Sequence, residues 1–504
     1  MTKKPNLIEK NNENATIFIN NVEAPEFILD ILTSQLVLKY PSLTEILVTI
    51  CYSLNEYWNN KTQKLVAQYQ VYLDHHNRSR EVKLFSVFPE TGPHYTEDTK
   101  HFVPLKLEHE VLEKIPITLN FDFNLFQNEK MNFSKKQTNK VSINPKEFCI
   151  FEPVYIPKPW GQEIWFTGVE KRGVSKISSL LNTNVSIPLP WLISALPKRL
   201  LGEKFSDKNL TLVKILDPLP VPVFGDLYYE LHTEKNEVYV VTEISSSEGK
   251  IKFGSNLDKL KKLNHDSNLY KSELLKAIKQ YEEIRKKIDI ILDDFRKDSN
   301  IPLNEPLTAD KLREWLLKVP NDLIEEEKQK REIMDSYAGY LKLNIGDVIR
   351  VPTFIPHALQ HGVKVIEFQT ATYERFILSF AQKVLTQNHW DTEKALEIMT
   401  ITPPAKTELE VITNNDAYCE ECVCSFKEFH SSRLKIKADK IIEFSSIDNY
   451  RILFHVAGKL SINSNKTIDI KVEQGSCIFI PAKTDFELKS QTNSTILFCI
   501  PHFF

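Results

Sequence analysis

The stretch "YYELHTEKNEVYVV", residues 228–241, sets a histidine, carboxylates and a lysine between two runs of strand-forming residues. Side chains two apart on a strand share a face, so Glu230 and His232 point the same way. A turn on "TEKN" predicts a hairpin that sends Glu237 back along the neighbouring strand, close to His232. Imidazole and carboxylate suit a divalent transition metal, which takes about four such donors. A further histidine has to come from elsewhere in the chain. The best placed is His357, which follows "GDVIRVPTFIP", where proline fixes a rigid turn at a strand start; His361 is the reserve. Among 13 histidines in 504 residues, a structural or exposed strand histidine is the competing reading.

Outward from this stretch the texture changes several times. Residues 1–150 carry runs rich in β-branched and aromatic residues, "EILVTICYSL", "LVAQYQVYLD" and "ITLNFDFNLF", which predict a separate, mainly β, N-terminal region. From about residue 151 short β segments punctuated by Pro and Gly follow, "PVYIPKPWGQEIWF" and "LVKILDPLPVPV" among them. Residues 257–336 read as an all-helical insertion: Leu274, Ile278, Tyr281, Ile284, Ile288, Ile291 and Phe295 recur every three or four positions among Lys and Glu. A second helix starts after Thr308, an acceptable N-cap, and runs through Trp315 to a stop at Pro320. Strand texture resumes over 337–400, and after a helical connection through "HWDTEKALEIM" the residues 401–504 return to short strands.

With 64 Lys+Arg against 67 Asp+Glu, the net charge of −3 provides no overall field for nucleic acid or anionic lipid. No apolar run nears the ~20 residues of a bilayer span, and the polar opening "MTKKPNLIEKNNENA" has no signal-peptide core. The expectation is a cytoplasmic protein acting on a small molecule, with no nucleic-acid or membrane partner. Seven scattered cysteines fit reduced thiols.

The order of the pieces resembles the type I mannose-6-phosphate isomerases, double-cupin metalloenzymes with a helical insertion. The matching residues are "KPWG" at 158–161, "KILD" at 214–217, Glu230-x-His232, Lys235-x-Glu237, "GDVIRVP" with "PHAL" ending the motif around His357, and "EFQTATYER" at 367–375. "HWDTEKALEIM" and "EQGSCIFIPA" extend the resemblance over roughly residues 150–504. It implies a mainly β, jelly-roll core with a first cupin in two parts, 151–256 and 337–400, and a C-terminal cupin at 401–504. It further implies one divalent metal on Glu230, His232, Glu237 and His357, zinc first with manganese or iron as alternatives. Arg375 and Lys235 take the catalytic positions, and Lys158 and Trp160 lie in a segment the family places near the active-site cleft. The implied reaction interconverts mannose 6-phosphate and fructose 6-phosphate through a cis-enediol.

Two departures bear on this. Glu230 stands where the family usually has glutamine, so two carboxylates would neutralise a dication, weakening its Lewis acidity and favouring harder metals. Tyr228 stands where the family commonly has a small hydroxyl residue involved in sugar-phosphate binding. The alternatives to an enzyme are a sugar- or metal-binding regulatory cupin without turnover, and a purely structural double cupin.

Elsewhere, Cys419, Cys422, Cys424 and His430 in "CEECVCSFKEFH" do not have the spacing of a familiar zinc site. "DHHNRSR" at 74–80 predicts a polar hairpin tip. Residues 1–150 fall outside the resemblance; setting oligomerisation or covering the cleft are the roles open to them.

Overall fold

In the computed structural model of the chain, the described residues are 14–22, 24–39, 43–56, 58–90, 103–104, 120–122, 141–223, 225, 227–246, 248–402, 404, 408–464 and 468–502. The chain is mainly β, with antiparallel sheets paired into two jelly-roll sandwiches, an all-helical segment and an additional N-terminal sheet.

The first sandwich pairs a six-stranded with a five-stranded sheet. The six-stranded sheet runs in the order Val348–Val351, Glu237–Ile244, Val363–Gln369, Leu212–Pro218, Gly161–Trp165 and Val154–Lys158. Facing it are Ala338–Leu343, Gly249–Ser255, His357–Leu359, Tyr229–Leu231 and Phe376–Ser379. Val241 and Val365 from one sheet and Ile251, Phe253 and Ile377 from the other share one apolar core, which is what holds two sheets face to face.

The second sandwich has nine-stranded and four-stranded sheets packed around Leu453, Phe486, Leu488, Ile496 and Phe498. Its large sheet is not built from C-terminal residues alone. Cys149–Glu152, Lys176–Ser179 and Asn182–Pro188 extend it, joined through the pairing of Ile150 with Ile478. The range 151–256, expected in the first sandwich, therefore also lends strands to the second. Their large sheets pack back to back: Val213, Val238 and Phe368 of one share a core with Phe454, Phe479 and Cys499 of the other. Phe166 meets Phe454 edge to face with ring centroids 5.2 Å apart. Arg350 Nε donates to Val423 O at 2.7 Å across the same junction.

Between 257 and 335 the regular elements are helices: Leu257–Lys262, Ser267–Asp298, Ala309–Leu316 and Asn321–Asp335. Leu274, Ile278, Tyr281, Ile284 and Ile288 are buried, with Ile291 and Phe295 half-buried beside them, as the three-to-four spacing requires. The Thr308 side chain accepts from Lys311 N and caps the third helix.

The N-terminal sheet has seven strands. Glu45–Glu56, Lys61–Asp74 and Ser79–Pro89 form its antiparallel centre, and the last two are joined by the hairpin at 74–80, where Asp74 pairs with Ser79. Asn14–Val22 pairs in parallel with Glu45–Glu56, which requires a crossover, and the helix Pro25–Lys39 supplies it. Of the expected run 117–126, only the strand Asn120–Asp122 lies within the described residues. This region docks on the segment 189–201: Tyr69 Oη donates to Ala195 O at 2.8 Å, Trp191 Nε1 to Glu56 Oε1 at 2.7 Å, and the Glu26 carboxylate accepts from Lys198 N at 2.6 Å and Arg199 N at 3.2 Å. No helix among the described residues is long and apolar enough to cross a membrane.

Candidate metal centre

Residues 228–241 do not form the expected hairpin. Tyr229–Leu231 belongs to the five-stranded sheet and Glu237–Ile244 to the six-stranded one, so 232–236 carries the chain across the sandwich instead of folding it back in one sheet. Neighbours hold the crossing: the Glu374 carboxylate accepts from Thr233 N at 2.9 Å and Glu234 N at 3.2 Å, and Phe354 N donates to His232 O at 2.6 Å. The carboxylate of Glu237 still arrives at His232, from the facing sheet.

Glu230 lies directly opposite His357 in the antiparallel pair, and His232 follows two residues on. One donor atom from each of Glu230, His232 and His357 lies within 4.8 Å of the others, the single such grouping of His, Cys, Asp and Glu among the described residues. From the other side, Glu237 places Oε1 3.3 Å from His232 Nε2 and Oε2 3.2 Å from His357 Nε2. Both histidines are buried, as is Glu237.

The hydrogen bonds around the rings decide what this cluster accommodates. His232 Nδ1 lies 2.8 Å from Glu374 O, and His357 Nδ1 lies 3.0 Å from Ile355 O. Carbonyls only accept, so each Nδ1 carries a proton, and in the neutral ring each Nε2 presents a lone pair to the Glu237 carboxylate. Lone pairs that face each other at such distances call for a cation between them. A proton on His232 is disfavoured, because burial and then Lys235 hold its pKa below the ordinary value. His232 Nε2 and Glu230 Oε2 are buried atoms with no hydrogen-bond partner. Two imidazoles with fixed outer nitrogens and two carboxylates are a donor set that fits a divalent transition metal.

Glu230 serves two neighbours. Its Oε1 is 3.9 Å from His232 Nε2, and its Oε2 is 3.6 Å from Arg375 Nη1. Burial raises its pKa, but Arg375 together with His232, Lys235 and His357 outweighs this and the carboxyl is held below its usual range. The Arg375 guanidinium lies over the Tyr228 ring, 4.2 Å from its centroid, and donates to Thr386 Oγ1 at 2.9 Å; Tyr228 in turn stacks on Phe380 at 3.8 Å. Lys235 is buried, not a solvent-facing turn lysine, with Nζ 2.6 Å from Glu237 Oε1.

The other expected residues stand apart from the donor cluster. Lys158 Nζ pairs with Glu163 Oε1 at 3.4 Å. Trp160, expected in a segment near the cleft, is 1% exposed and packs within the apolar core of the sandwich. His361 is no reserve ligand, since its ring nitrogens face Leu219 O at 2.9 Å and Gly225 O at 2.8 Å. Cys422 and Cys424 lie on Tyr418–Ser425, with burial pushing both thiols up, and the cysteines there are free.

Sequence reasoning overlooked a polar ladder on the inward face of the six-stranded sheet. Tyr239 lies opposite Glu367, Glu367 opposite Lys214, and Lys214 opposite Trp165, so these side chains share a face with Glu237. Lys214 Nζ is 3.2 Å from Glu367 Oε2, and Tyr239 Oη donates to Glu237 Oε2 at 2.6 Å. Burial pushes the Glu367 carboxyl up to about 8 in spite of Lys214. Burial also acts upward on Glu163, but Lys158, Lys214 and Arg172 outweigh it and hold that carboxyl at about 2. The signal was available: charged residues at inward positions of otherwise apolar strands, inside the motifs "KILD" and "EFQT".

No family model matches the sequence, and no curated protein does. Among solved structures, the chain is similar to the mannose 6-phosphate isomerase from Bacillus subtilis, at 13% identity over 70% of this chain and 99% of that one, with a TM-score of 0.48. A phosphomannose isomerase mutant from Salmonella typhimurium is similar at 13% identity, over 71% of this chain and 100% of that one, with a TM-score of 0.47. A zinc-bound mannose 6-phosphate isomerase gives 13%, 71%, 100% and 0.47 for the same quantities.

Proposed function

We propose that the chain is a metal-dependent aldose–ketose isomerase that interconverts mannose 6-phosphate and fructose 6-phosphate. The observation that carries this reading is the pair of buried imidazoles, His232 and His357, with Nδ1 tied to carbonyls and Nε2 turned toward Glu230 and Glu237. These four residues would hold the ion, with zinc first and manganese or iron favoured by the second carboxylate. When bound, the metal supplies polarisation of the sugar's carbonyl and neighbouring hydroxyl.

The reaction moves one proton between the adjacent carbons and a second between the oxygens they carry, and is redox-neutral overall. Enediol formation develops negative charge on oxygen, and Arg375, kept cationic and braced over Tyr228, is the group to stabilise it. Lys235 holds Glu237 in place and offers a second positive charge beside the histidines. Glu367, protonated near pH 7 and paired with Lys214, is a proton reservoir on the same inner face. The Arg375 guanidinium beside the cluster suits a phosphorylated sugar.

A non-catalytic sugar- or metal-binding role is the second reading, favoured by one contact: Arg375 already faces Glu230 at 3.6 Å and Thr386 at 2.9 Å. A coupled assay for fructose 6-phosphate on protein purified without chelators separates the two. Turnover is expected, and Arg375→Lys, which keeps the charge but loses the planar fork, should lower it more than ~10-fold with metal content unchanged. Metal-loaded protein with no turnover on mannose 6-phosphate would leave the binding role.

A further inference from the structure

A cavity of about 560 Å³ opens where the N-terminal region, the segment around residues 198–203 and the C-terminal sandwich meet. Its walls come from the helix Pro25–Lys39, the 78–82 side of the hairpin, Lys146, the 198–203 segment, and Ala482 with Lys483, so it exists only when these regions are docked. It shares no residue with the metal centre.

Its acidic groups are already matched to cations. Glu26 accepts from Arg199 Nη1 at 2.6 Å as well as from two backbone amides, and Asp30 accepts from Arg199 Nη2 at 2.7 Å. Glu203 pairs with Lys198 at 2.7 Å, and Glu81 pairs with Lys83. Its remaining cations are poorly matched. Arg80 comes no closer than 4.0 Å to Asp30, Lys146 is 4.0 Å from Glu81, and Lys483 is 4.0 Å from Asp448. Arg78 has no ion pair among the described residues.

The backbone adds an independent observation. Arg78 and Lys483 have φ of +50° and +57°, a left-handed conformation that Gly, Asn or Asp adopt more readily. Two separate turns thus give a position suited to those residues to a cation, and both cations border one cavity.

We infer that this cavity binds a phosphorylated small molecule carrying at least two negative charges. Arginine forks match phosphoryl oxygens two at a time, lysines add point charge, and the volume lies within the range of small-molecule sites. A ligand held by Arg78, Arg80 and Lys146 on one side and Lys483 on the other would clamp the N-terminal region to the C-terminal sandwich. That gives residues 1–150 a role as one wall of an effector site.

The test is calorimetric titration of the full chain with inorganic pyrophosphate, with sulfate at matched ionic strength as the control. Saturable binding of about one pyrophosphate per chain is expected, and it should persist in His357→Ala, where a contribution from the metal centre is removed. Combining Arg78→Glu with Lys483→Glu should weaken it by ~10-fold or more, since two charge-assisted contacts become repulsive. Arg78→Lys, which keeps the charge, should retain most of the affinity and checks against misfolding. No saturable binding, equal displacement by sulfate, loss in His357→Ala, or an unchanged affinity in the double variant would each overturn the inference.

Discussion

In the first sandwich Glu163, Lys235, Glu237 and Glu367 are buried together with His232 and His357. In the C-terminal sandwich no carboxylate among the described residues is buried; Arg433 pairs with the half-buried Glu421 at 2.7 Å and reaches Gly346 O, and Arg451 reaches Ser445 O. There the interior is aromatic, with Phe486 stacked on Phe444 at 4.7 Å and near Phe148 and Phe498, each at 6.2 Å. Two sandwiches of similar build thus have opposite interiors. Burying ions costs several kcal/mol each unless they are paired, whereas apolar side chains gain by burial, so the charged interior is the one that requires a functional reason.

Substitutions on either side sharpen this contrast. The largest effect is expected in the charged interior: His357→Ala should bring metal content well below one per chain and remove turnover, as measured by elemental analysis and the coupled assay. Unchanged stoichiometry would break the assignment. In the aromatic interior Phe486→Ala should leave metal content intact but lower stability to denaturant by about 3–5 kcal/mol, the cost of a large core cavity.

A third effect concerns pH. Glu367 has its carboxyl at about 8 in the fold against 4.5 ordinarily, so between these values the folded chain binds a proton that the unfolded chain has lost. Stability then falls as pH rises through that window. Glu367→Gln should flatten the fall in chelator-treated protein followed by thermal melts at pH 5 and pH 8; an equally steep decline in the variant would mean another group is responsible.

Much of this contrast was legible in the sequence, and unevenly so. Local signals carried well: the stripe from Leu274 to Ile288, the Thr308 cap and the 74–80 hairpin each depend on residues a few positions apart. Convergence of His232 and His357 was legible because strand alternation and a proline-fixed turn aim them. The hairpin at 228–241 was misread because a short polar segment looks the same whether it folds back or crosses to a facing sheet. The helix Pro25–Lys39 went unrecognised: Ile28, Leu29, Leu32 and Leu36 are buried, but Phe27 and Leu38 are exposed, which blurs any apolar stripe. The Lys214–Glu367 pair joins residues far apart in sequence, and only sheet register reveals it.

The three strands that residues 149–188 lend to the C-terminal sheet impose an order on synthesis. Ile150 pairs with Ile478, about 330 residues later, so at ~5–20 residues per second the early strands wait roughly a quarter of a minute to a minute for their partner. During that interval the edge of Cys149–Glu152 that Cys477–Ile480 will cover stays open to other chains. A ribosome that stalls after residue 400 would therefore release a nascent chain with the strands of the candidate metal centre complete and an unpaired β edge, a natural client for a chaperone.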